Sequence, residues 1–231
     1  MQQTIPHPYP PLIVGSVASV SALREVVRDS AACDWVELRV DGLLRELPVE
    51  EVAAIRLSAP LLLTVRAADE GGLYDFADIG QRIQAARRML PSVVALDWEI
   101  QYMQPAQELI REARAAGVQI IASAHDFEKT PSVETLMALE QQARSLGADV
   151  VKFAFRLQRA EDMSTGLEVL SRRTGPMAVT GMGVLGPVSR LLYAQHGSCL
   201  VYGYIGDTPT APGQWSTRMF RETLDTLAPA H

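Results

Sequence analysis

Residues 147–158 read GADVVKFAFRLQ, an apolar run with one lysine, Lys152, at its centre. A continuous apolar run of this length is typical of a strand that is covered on both faces, as in a parallel sheet. Lysine is almost never fully buried unless it has a partner. The stretch therefore predicts a buried strand that carries an amine into the protein core, and it raises the question of what that amine does.

Seven similar runs, rich in Val, Ile and Leu, recur along the chain with helical segments between them. The eight predicted strands are residues 12–19, 35–41, 61–67, 93–100, 118–126, 150–156, 177–183 and 199–205. The predicted helices are residues 48–57, 78–90, 104–117, 132–147 and 161–173, with another helix after Gly186. Ser132 is expected to cap the helix over 132–147, and Gly147 to end it.

Alternating strands and helices determine the expected fold class. Eight strand–helix units favour a closed (β/α)₈ barrel over an open doubly wound sheet, because a barrel of about 250 residues fills one domain. We expect a single domain over residues 1–231, with the Pro-rich residues 1–11 as a short lead-in.

The amino-acid composition and the net charge argue against several classes of protein. Hydrophobic residues make up 48 % of the chain, and the formal net charge is −6. An acidic balance argues against a nucleic-acid or membrane-surface partner. The two cysteines, Cys33 and Cys199, lack the spacing of a disulfide framework or a metal site. We see no signal peptide and no membrane span, so a cytoplasmic protein is expected.

Polar residues stand late in the predicted strands, where the chemistry of such barrels collects. They are Glu37, Arg39, Arg66, Asp97, Glu99, Ser123, His125, Lys152, Thr180, Met182 and either Tyr202 or Tyr204. Each has a structural alternative: Glu37 and Arg39 would then form an ion pair, and Asp97 and Glu99 would brace the barrel interior. Convergence favours a functional site, because five consecutive strands direct an ionisable group to one rim.

Lys152 and His125 suggest the chemistry. A partly desolvated lysine beside other cations becomes a nucleophilic amine, which in enzymes mostly forms Schiff bases with ketones or aldehydes. The expected cations are Arg39, Arg66 and Arg190. His125, on the adjacent predicted strand, can move protons near neutral pH. Either Glu70 or Asp126 is expected to orient it.

Six segments together resemble a known family. They are ELRVD (37–41), LLTVRAADEGG (62–72), SAHDFEKTP (123–131), ADVVKFA (148–154), GMGVLGPVSR (181–190) and TAPGQWS (210–216). In this order they resemble type I 3-dehydroquinate dehydratases over nearly the whole chain. The resemblance implies a (β/α)₈ barrel, usually a homodimer, that uses no metal or organic cofactor. It also implies the dehydration of 3-dehydroquinate to 3-dehydroshikimate in the shikimate pathway.

The resemblance also implies residue roles. Lys152 would be the Schiff-base lysine, His125 the general acid and base, and Glu70 the carboxylate that orients His125. The substrate hydroxyl groups would bind Glu37, Arg39 and Arg66, and its carboxylate would bind Arg190 and Gln214. The last loop would act as a lid with Thr210 and Ala211, and the other implied contacts are Met182 and Tyr202. At positions 180, 202 and 210 the family usually has methionine, phenylalanine and serine.

Two rival functions stay open at this stage. A Schiff-base aldolase would also join a barrel lysine to a keto substrate, with Gly181, Gly183 and Gly186 holding a phosphate. A barrel kept only as a binding or scaffold module would need none of the ionisable groups. A carboxylate-type clamp at Arg190 and Gln214 is what separates the dehydratase from the aldolase. The presence of Lys152, His125, Glu70 and Arg190 together argues against the binding module.

Overall fold

The computed structural model describes residues 10–28, 32–205 and 214–227. Eight parallel strands alternate with helices, which confirms the predicted (β/α)₈ barrel. The strands are β1 (Leu12–Val17), β2 (Trp35–Arg39), β3 (Leu61–Thr64), β4 (Ala95–Glu99), β5 (Gln119–Asp126), β6 (Val150–Arg156), β7 (Met177–Met182) and β8 (Leu200–Tyr204). The predicted lead-in over residues 1–11 lies largely outside the described residues.

The helices pack around the outside of the strands. They are α1 (Val20–Arg28), α2 (Val40–Leu43), α3 (Val49–Ala53), α4 (Ile79–Met89), α5 (Gln107–Ala115), α6 (Val133–Ser145), α7 (Met163–Arg172), α8 (Gly186–Gln195) and α9 (Thr217–Leu227). Short 3₁₀ turns cover Ala68–Glu70, Leu90–Ser92, Ile100–Tyr102 and Ala160–Asp162. Of these helices, α1, α2 and α9 lie outside the predicted segments.

Hydrogen bonds join the strands in the order β7-β6-β5-β4-β3-β2-β1-β8. The gap between β7 and β8 is bridged at its base, where the Cys199 amide donates to the Met177 carbonyl at 2.9 Å. Nearby, the Val179 amide donates to the Ser198 hydroxyl at 3.0 Å. The sheet is therefore nearly closed, and its inner face is sheltered from solvent.

Several predicted boundaries were too long, each for a local reason. β3 ends at Thr64 rather than residue 67, because the Arg66 amide donates to the Asp41 carboxylate instead of a neighbouring strand. β2 ends at Arg39, because α2 begins at Val40. The helix predicted over 48–57 is only the short α3. Across the described ranges, no helix has the length and apolar character needed to cross a bilayer.

Candidate active site

The barrel interior is layered, because alternate residues of each strand face inward. A floor layer of apolar side chains closes the base. Its members are Val14, Trp35, Leu62, Ala95, Ile121, Val150, Ala178 and Leu200. Two residues further along each strand lies a polar layer, comprising Ser16, Glu37, Thr64, Asp97, Ser123, Lys152, Thr180 and Tyr202. Functional side chains therefore stand on a dry floor at the C-terminal half of the barrel.

Lys152 lies inside this polar layer and is only 6 % exposed. Its Nζ donates to Asp97 Oδ2 at 2.8 Å and lies 3.9 Å from Glu37 Oε1. The same nitrogen stands 4.0 Å from the ring centroid of Tyr202. The predicted environment was wrong in one respect: the direct neighbours of the amine are carboxylates and a π face, rather than the three arginines. These neighbours satisfy a buried ammonium ion.

Asp97 and Glu99 form the centre of a buried charge network. Arg66 donates to Asp97 Oδ1 at 2.9 Å and to Glu99 Oε1 at 3.0 Å, and Arg82 donates to Glu99 Oε2. Burial acts to lower the pKa of Arg66, but the two carboxylates outweigh it and raise that pKa. Burial acts to raise the pKa of Asp97, but Arg66 and Lys152 outweigh it, and the pKa lies below its usual range. Asp97 is therefore a permanent anion beside the lysine.

The structural ion pair considered for Glu37 and Arg39 is not formed. Glu37 accepts hydrogen bonds from the hydroxyls of Ser16 at 2.6 Å and Thr64 at 2.8 Å. Arg39 instead binds Asp41 in two-point fashion, at 3.0 and 2.8 Å. The pairing fails because Asp41 offers Arg39 a closer carboxylate at the start of α2.

Asp41 is fully buried and also organises the loop after β3. Its carboxylate accepts from the backbone amides of Arg66 at 3.2 Å and Leu73 at 2.9 Å. Arg39 adds a bond to the Gly71 carbonyl at 3.1 Å. Together these contacts hold both ends of the loop that carries Glu70.

His125 is oriented by Glu70, one of the two carboxylates considered for that task. Nδ1 of His125 lies 2.8 Å from Glu70 Oε2, and the His125 backbone amide donates to the same oxygen at 3.0 Å. Gln101 donates to the other oxygen of Glu70 at 2.7 Å. Asp126 is not the orienting group, because its Oδ1 accepts the backbone amides of Glu128 and Lys129. When Nδ1 carries the proton toward Glu70, Nε2 is left with a free lone pair.

The surroundings keep the imidazole neutral. Burial, reinforced by the charges of Arg66 and Lys152, lowers the pKa of His125 well below its ordinary range. Burial, together with the charge of Glu99, raises the pKa of Glu70 to about 7 despite the opposing effect of Arg66. Such a pair titrates as a unit, so it takes up one proton as the pH falls through neutrality.

Lys152 and His125 lie on hydrogen-bonded neighbours. Lys152 on β6 is in register with Ser123 on β5, and His125 is in register with Ala154. The two side chains therefore belong to adjacent strands, one inward-facing layer apart, which is about 7 Å along a strand. That separation suits a small molecule bound to the amine and reached by the imidazole.

Arg190 enters the barrel mouth from α8. Its Nη1 donates to the Tyr202 carbonyl at 2.8 Å, while its buried Nε has no hydrogen-bond partner within the described ranges. Burial lowers the pKa of Arg190 to about 10. A guanidinium that remains charged at neutral pH and keeps an unused donor suits an anionic ligand.

The structure describes only some of the other residues that were predicted to contact the substrate. Gln214 is half-buried and directly precedes Trp215, whose carbonyl accepts from the Tyr204 amide at 3.2 Å. Thr210 and Ala211 of the predicted lid lie outside the described residues. Met182 ends β7 at the rim and is half-buried. Tyr202, rather than Tyr204, approaches the lysine, and its buried hydroxyl has no partner among the described residues.

Three contacts that support the site were missed at the sequence level. Asp97 contacts Lys152 directly, Arg82 holds Glu99, and Asp41 anchors the loop with Glu70. Asp97 and Glu99 share a strand face, and the sequence indicated that this face is directed inward. It did not indicate which residues the two carboxylates bind. Arg82 gave no signal, because it lies within a helix that reads as an ordinary amphipathic one.

Comparison with known proteins identifies the family. The model of the type I 3-dehydroquinase family matches residues 12–230. A 3-dehydroquinate dehydratase of Methanocella arvoryzae is 31% identical over 220 residues, which cover 95% of this chain and 98% of that protein. A 3-dehydroquinate dehydratase of Klebsiella pneumoniae is 33% identical over 213 residues, covering 86% of this chain and 84% of its own.

A solved structure agrees with these sequence matches. The type I 3-dehydroquinate dehydratase of Clostridium difficile, determined with covalently modified comenic acid, superposes with a TM-score of 0.84. It is 26% identical, over 94% of this chain and 92% of that one. Because the family model spans nearly the whole chain and two relatives exceed 30 % identity over most of it, the chain belongs to the type I 3-dehydroquinase family.

Proposed function

We propose that the chain is a hydro-lyase that converts 3-dehydroquinate to 3-dehydroshikimate and water through a Schiff base at Lys152. The observation that carries the proposal is the buried amine of Lys152 one layer from a neutral imidazole that Glu70 orients. The names of the relatives give the substrate, and the covalent ligand of the Clostridium difficile protein is consistent with covalent chemistry in this family.

The first step forms the iminium. The ammonium of Lys152 transfers a proton to His125, and the free amine adds to the C3 carbonyl carbon of the substrate. His125 returns this proton to the oxygen and then carries a second proton from the adduct nitrogen to the same oxygen, which departs as water. An ammonium and a ketone become an iminium and water, so the net charge beside Asp97 is unchanged. The ionised carboxylate of Asp97, at 2.8 Å from Nζ, therefore stabilises the reactant and the intermediate alike.

The second step eliminates water from the substrate ring. The iminium withdraws electrons, so the C2 proton becomes acidic, and Nε2 of His125 removes it to give an enamine. The enamine expels the C1 hydroxyl, and protonated His125 gives that oxygen its proton. Hydrolysis of the new iminium, assisted by His125, releases 3-dehydroshikimate and restores Lys152. One residue serves as base and then as acid.

The remaining residues bind the substrate. We assign its carboxylate to Arg190, supported by the unused Nε donor, and to Gln214 in the last loop. Glu37, Arg39 and Arg66 take the hydroxyl groups, and Met182 and the ring of Tyr202 line the apolar side. By the same resemblance we assign substrate contacts to Thr210 and Ala211. These assignments follow the family resemblance.

Reduction with borohydride in the presence of 3-dehydroquinate tests the proposal. The chain has two lysines, Lys129 and Lys152, so a trapped adduct is assigned unambiguously by peptide mass. We expect one ligand-sized mass on the Lys152 peptide, no adduct in Lys152→Ala, and full trapping in Lys129→Ala, which alters an exposed lysine. Ultraviolet detection of the enone product separates dehydration from aldol cleavage. Turnover with an unmodified Lys152 would refute the Schiff base.

We base the oligomeric state and the cellular location on the family resemblance and the sequence. We propose a cytoplasmic homodimer. An exposed apolar row supports self-association: Val184 precedes α8, and Val188 and Leu192 follow on that helix at four-residue spacing. Light scattering on the purified chain should give twice the mass of 25.2 kDa, and a concentration-independent monomer mass would refute the dimer.

A further inference from the structure

Phe127 lies two residues after His125 and occupies an unusual position for an apolar side chain. Its ring is stacked on the imidazole, with the centroids 6.2 Å apart and the planes 15° from parallel. Yet the side chain is 48 % exposed. Nothing in strand periodicity requires a large aromatic ring at this place, because β5 ends at Asp126. Core packing therefore does not explain the position of the ring beside the imidazole.

The same ring touches the loop that carries Glu70. A Cβ built on Gly71 would lie 2.7 Å from Cζ of Phe127, closer than real carbon atoms approach. Gly71 also has φ of 85°, a left-handed conformation in which a side chain is strained. Glycine thus lets the ring approach the backbone directly beside Glu70. Phe127 contacts both the imidazole and the loop that holds its carboxylate partner.

The loop is anchored on its other side by charged groups. Arg39 donates to the Gly71 carbonyl, and Asp41 accepts the Leu73 amide. Those contacts fix the loop to β2 and α2, whereas His125 belongs to β5. The loop is joined to β5 by the hydrogen bonds between Glu70 and His125. The ring of Phe127 lies beside these bonds. The ring adds an apolar contact on both sides, to the imidazole and to Gly71.

We propose that Phe127 is a positioning residue, which holds the imidazole of His125 against Glu70 and keeps water from that pair. The inference rests on the proposed function, since it assigns Phe127 to the proton transfers of that reaction. It differs from a substrate-binding role, because the ring acts through His125.

Truncation of the ring should lower the rate of the chemical steps and leave binding alone. Misplacement of a catalytic group by about 1 Å can cost up to 10²-fold in rate. We expect Phe127→Ala to reduce kcat on the order of tenfold, with KM for 3-dehydroquinate within about twofold of the parent. Borohydride trapping at Lys152 should persist. Phe127→Tyr, which retains the stacked ring, should restore kcat.

A double-mutant cycle separates positioning from a general structural effect. In a His125→Ala background, Phe127→Ala should have less than about a twofold further effect on kcat, because the residue through which it acts is gone. Met219→Ala, which truncates a similarly exposed apolar side chain on α9, should leave kcat unchanged. Thermal unfolding of each variant establishes that it is folded.

Distinct results would overturn this inference and the proposed function. A tenfold loss that persists without His125, a rise in KM at constant kcat, or no effect of Phe127→Ala would each reject the positioning role. If Phe127→Ala does not fold, Phe127→Leu replaces it, and wild-type kcat in that variant would also reject the role. An unaltered chain that neither turns over 3-dehydroquinate nor traps at Lys152 would instead refute the proposed function.

Discussion

A buried lysine is tolerated here because its charge is balanced locally. The ion-pair network around Lys152 holds three carboxylates, those of Glu37, Asp97 and Glu99. It also holds three cations, Arg66, Arg82 and Lys152. Isolated buried charges are strongly disfavoured, but paired and hydrogen-bonded ones are not. The lysine at the centre of GADVVKFAFRLQ is therefore one member of a neutral cluster, which was not evident from its own strand.

The Glu70–His125 pair predicts how activity depends on pH. The reactive form has ionised Glu70 and neutral His125, and burial raises the pKa of Glu70 to about 7. Protonation of the pair below that pH removes the base, so kcat/KM should fall as the pH drops below about 7. Glu70→Gln eliminates the group with the raised pKa. His125, whose pKa is lowered by burial, then controls the profile.

We therefore expect the acid limb of Glu70→Gln to lie at lower pH than that of the parent, although its maximal rate is reduced. The measurement is kcat/KM across the pH range in which the protein stays folded. Asp126→Asn is the matched control, since Asp126 bonds backbone amides of its own turn, and its profile should keep the parental midpoint. An acid limb that does not move in Glu70→Gln would contradict the assignment.

At the scale of elements, the helix ends that carry a capping side chain were the best predicted. Ser132 caps α6, where its hydroxyl accepts from the Thr135 amide at 3.2 Å. The predicted end at Gly147 is also close, since α6 ends at Ser145 and Gly147 has φ of 98°. α3 was predicted poorly, because a helix of five residues has too few turns to show a period.

The cap of α6 can be tested directly. Ser132→Ala should lower the free energy of unfolding by about 1 kcal/mol, because one backbone amide of the first turn loses its acceptor. Chemical denaturation measures the change. Ser145→Ala is the matched control, as its hydroxyl only donates to the Gln142 carbonyl in the last turn, and it should change stability much less. Equal effects of the two substitutions would argue against a capping role.

At the scale of the molecule, the charge network links strands that are far apart in sequence. Asp97 on β4 binds Lys152 on β6, Ser123 on β5 and Arg66 after β3. Asp97→Asn would leave two buried cations without their shared anion. Removing one partner of a buried pair typically costs about 3–5 kcal/mol, and we expect a loss of that size in the free energy of unfolding.

Equilibrium denaturation at neutral pH checks this expectation. Glu50→Gln is the control, because Glu50 forms an exposed ion pair with Arg88, and surface pairs contribute little. If Asp97→Asn were as stable as the parent, the buried cations would have to be satisfied in another way, and the network would not hold the strands together.

The sequence by itself determined the barrel, because eight apolar runs separated by helical segments can bury both faces of a parallel sheet in few other ways. It also placed Lys152, His125 and Arg66 at one rim, since all three stand toward the C-terminal ends of parallel strands. Only the tertiary structure decided which groups pair. Asp97 reaches Lys152 across 55 positions of the chain, and Arg39 prefers Asp41 to Glu37. Such choices depend on strand register and distances across the barrel, which no local pattern encodes.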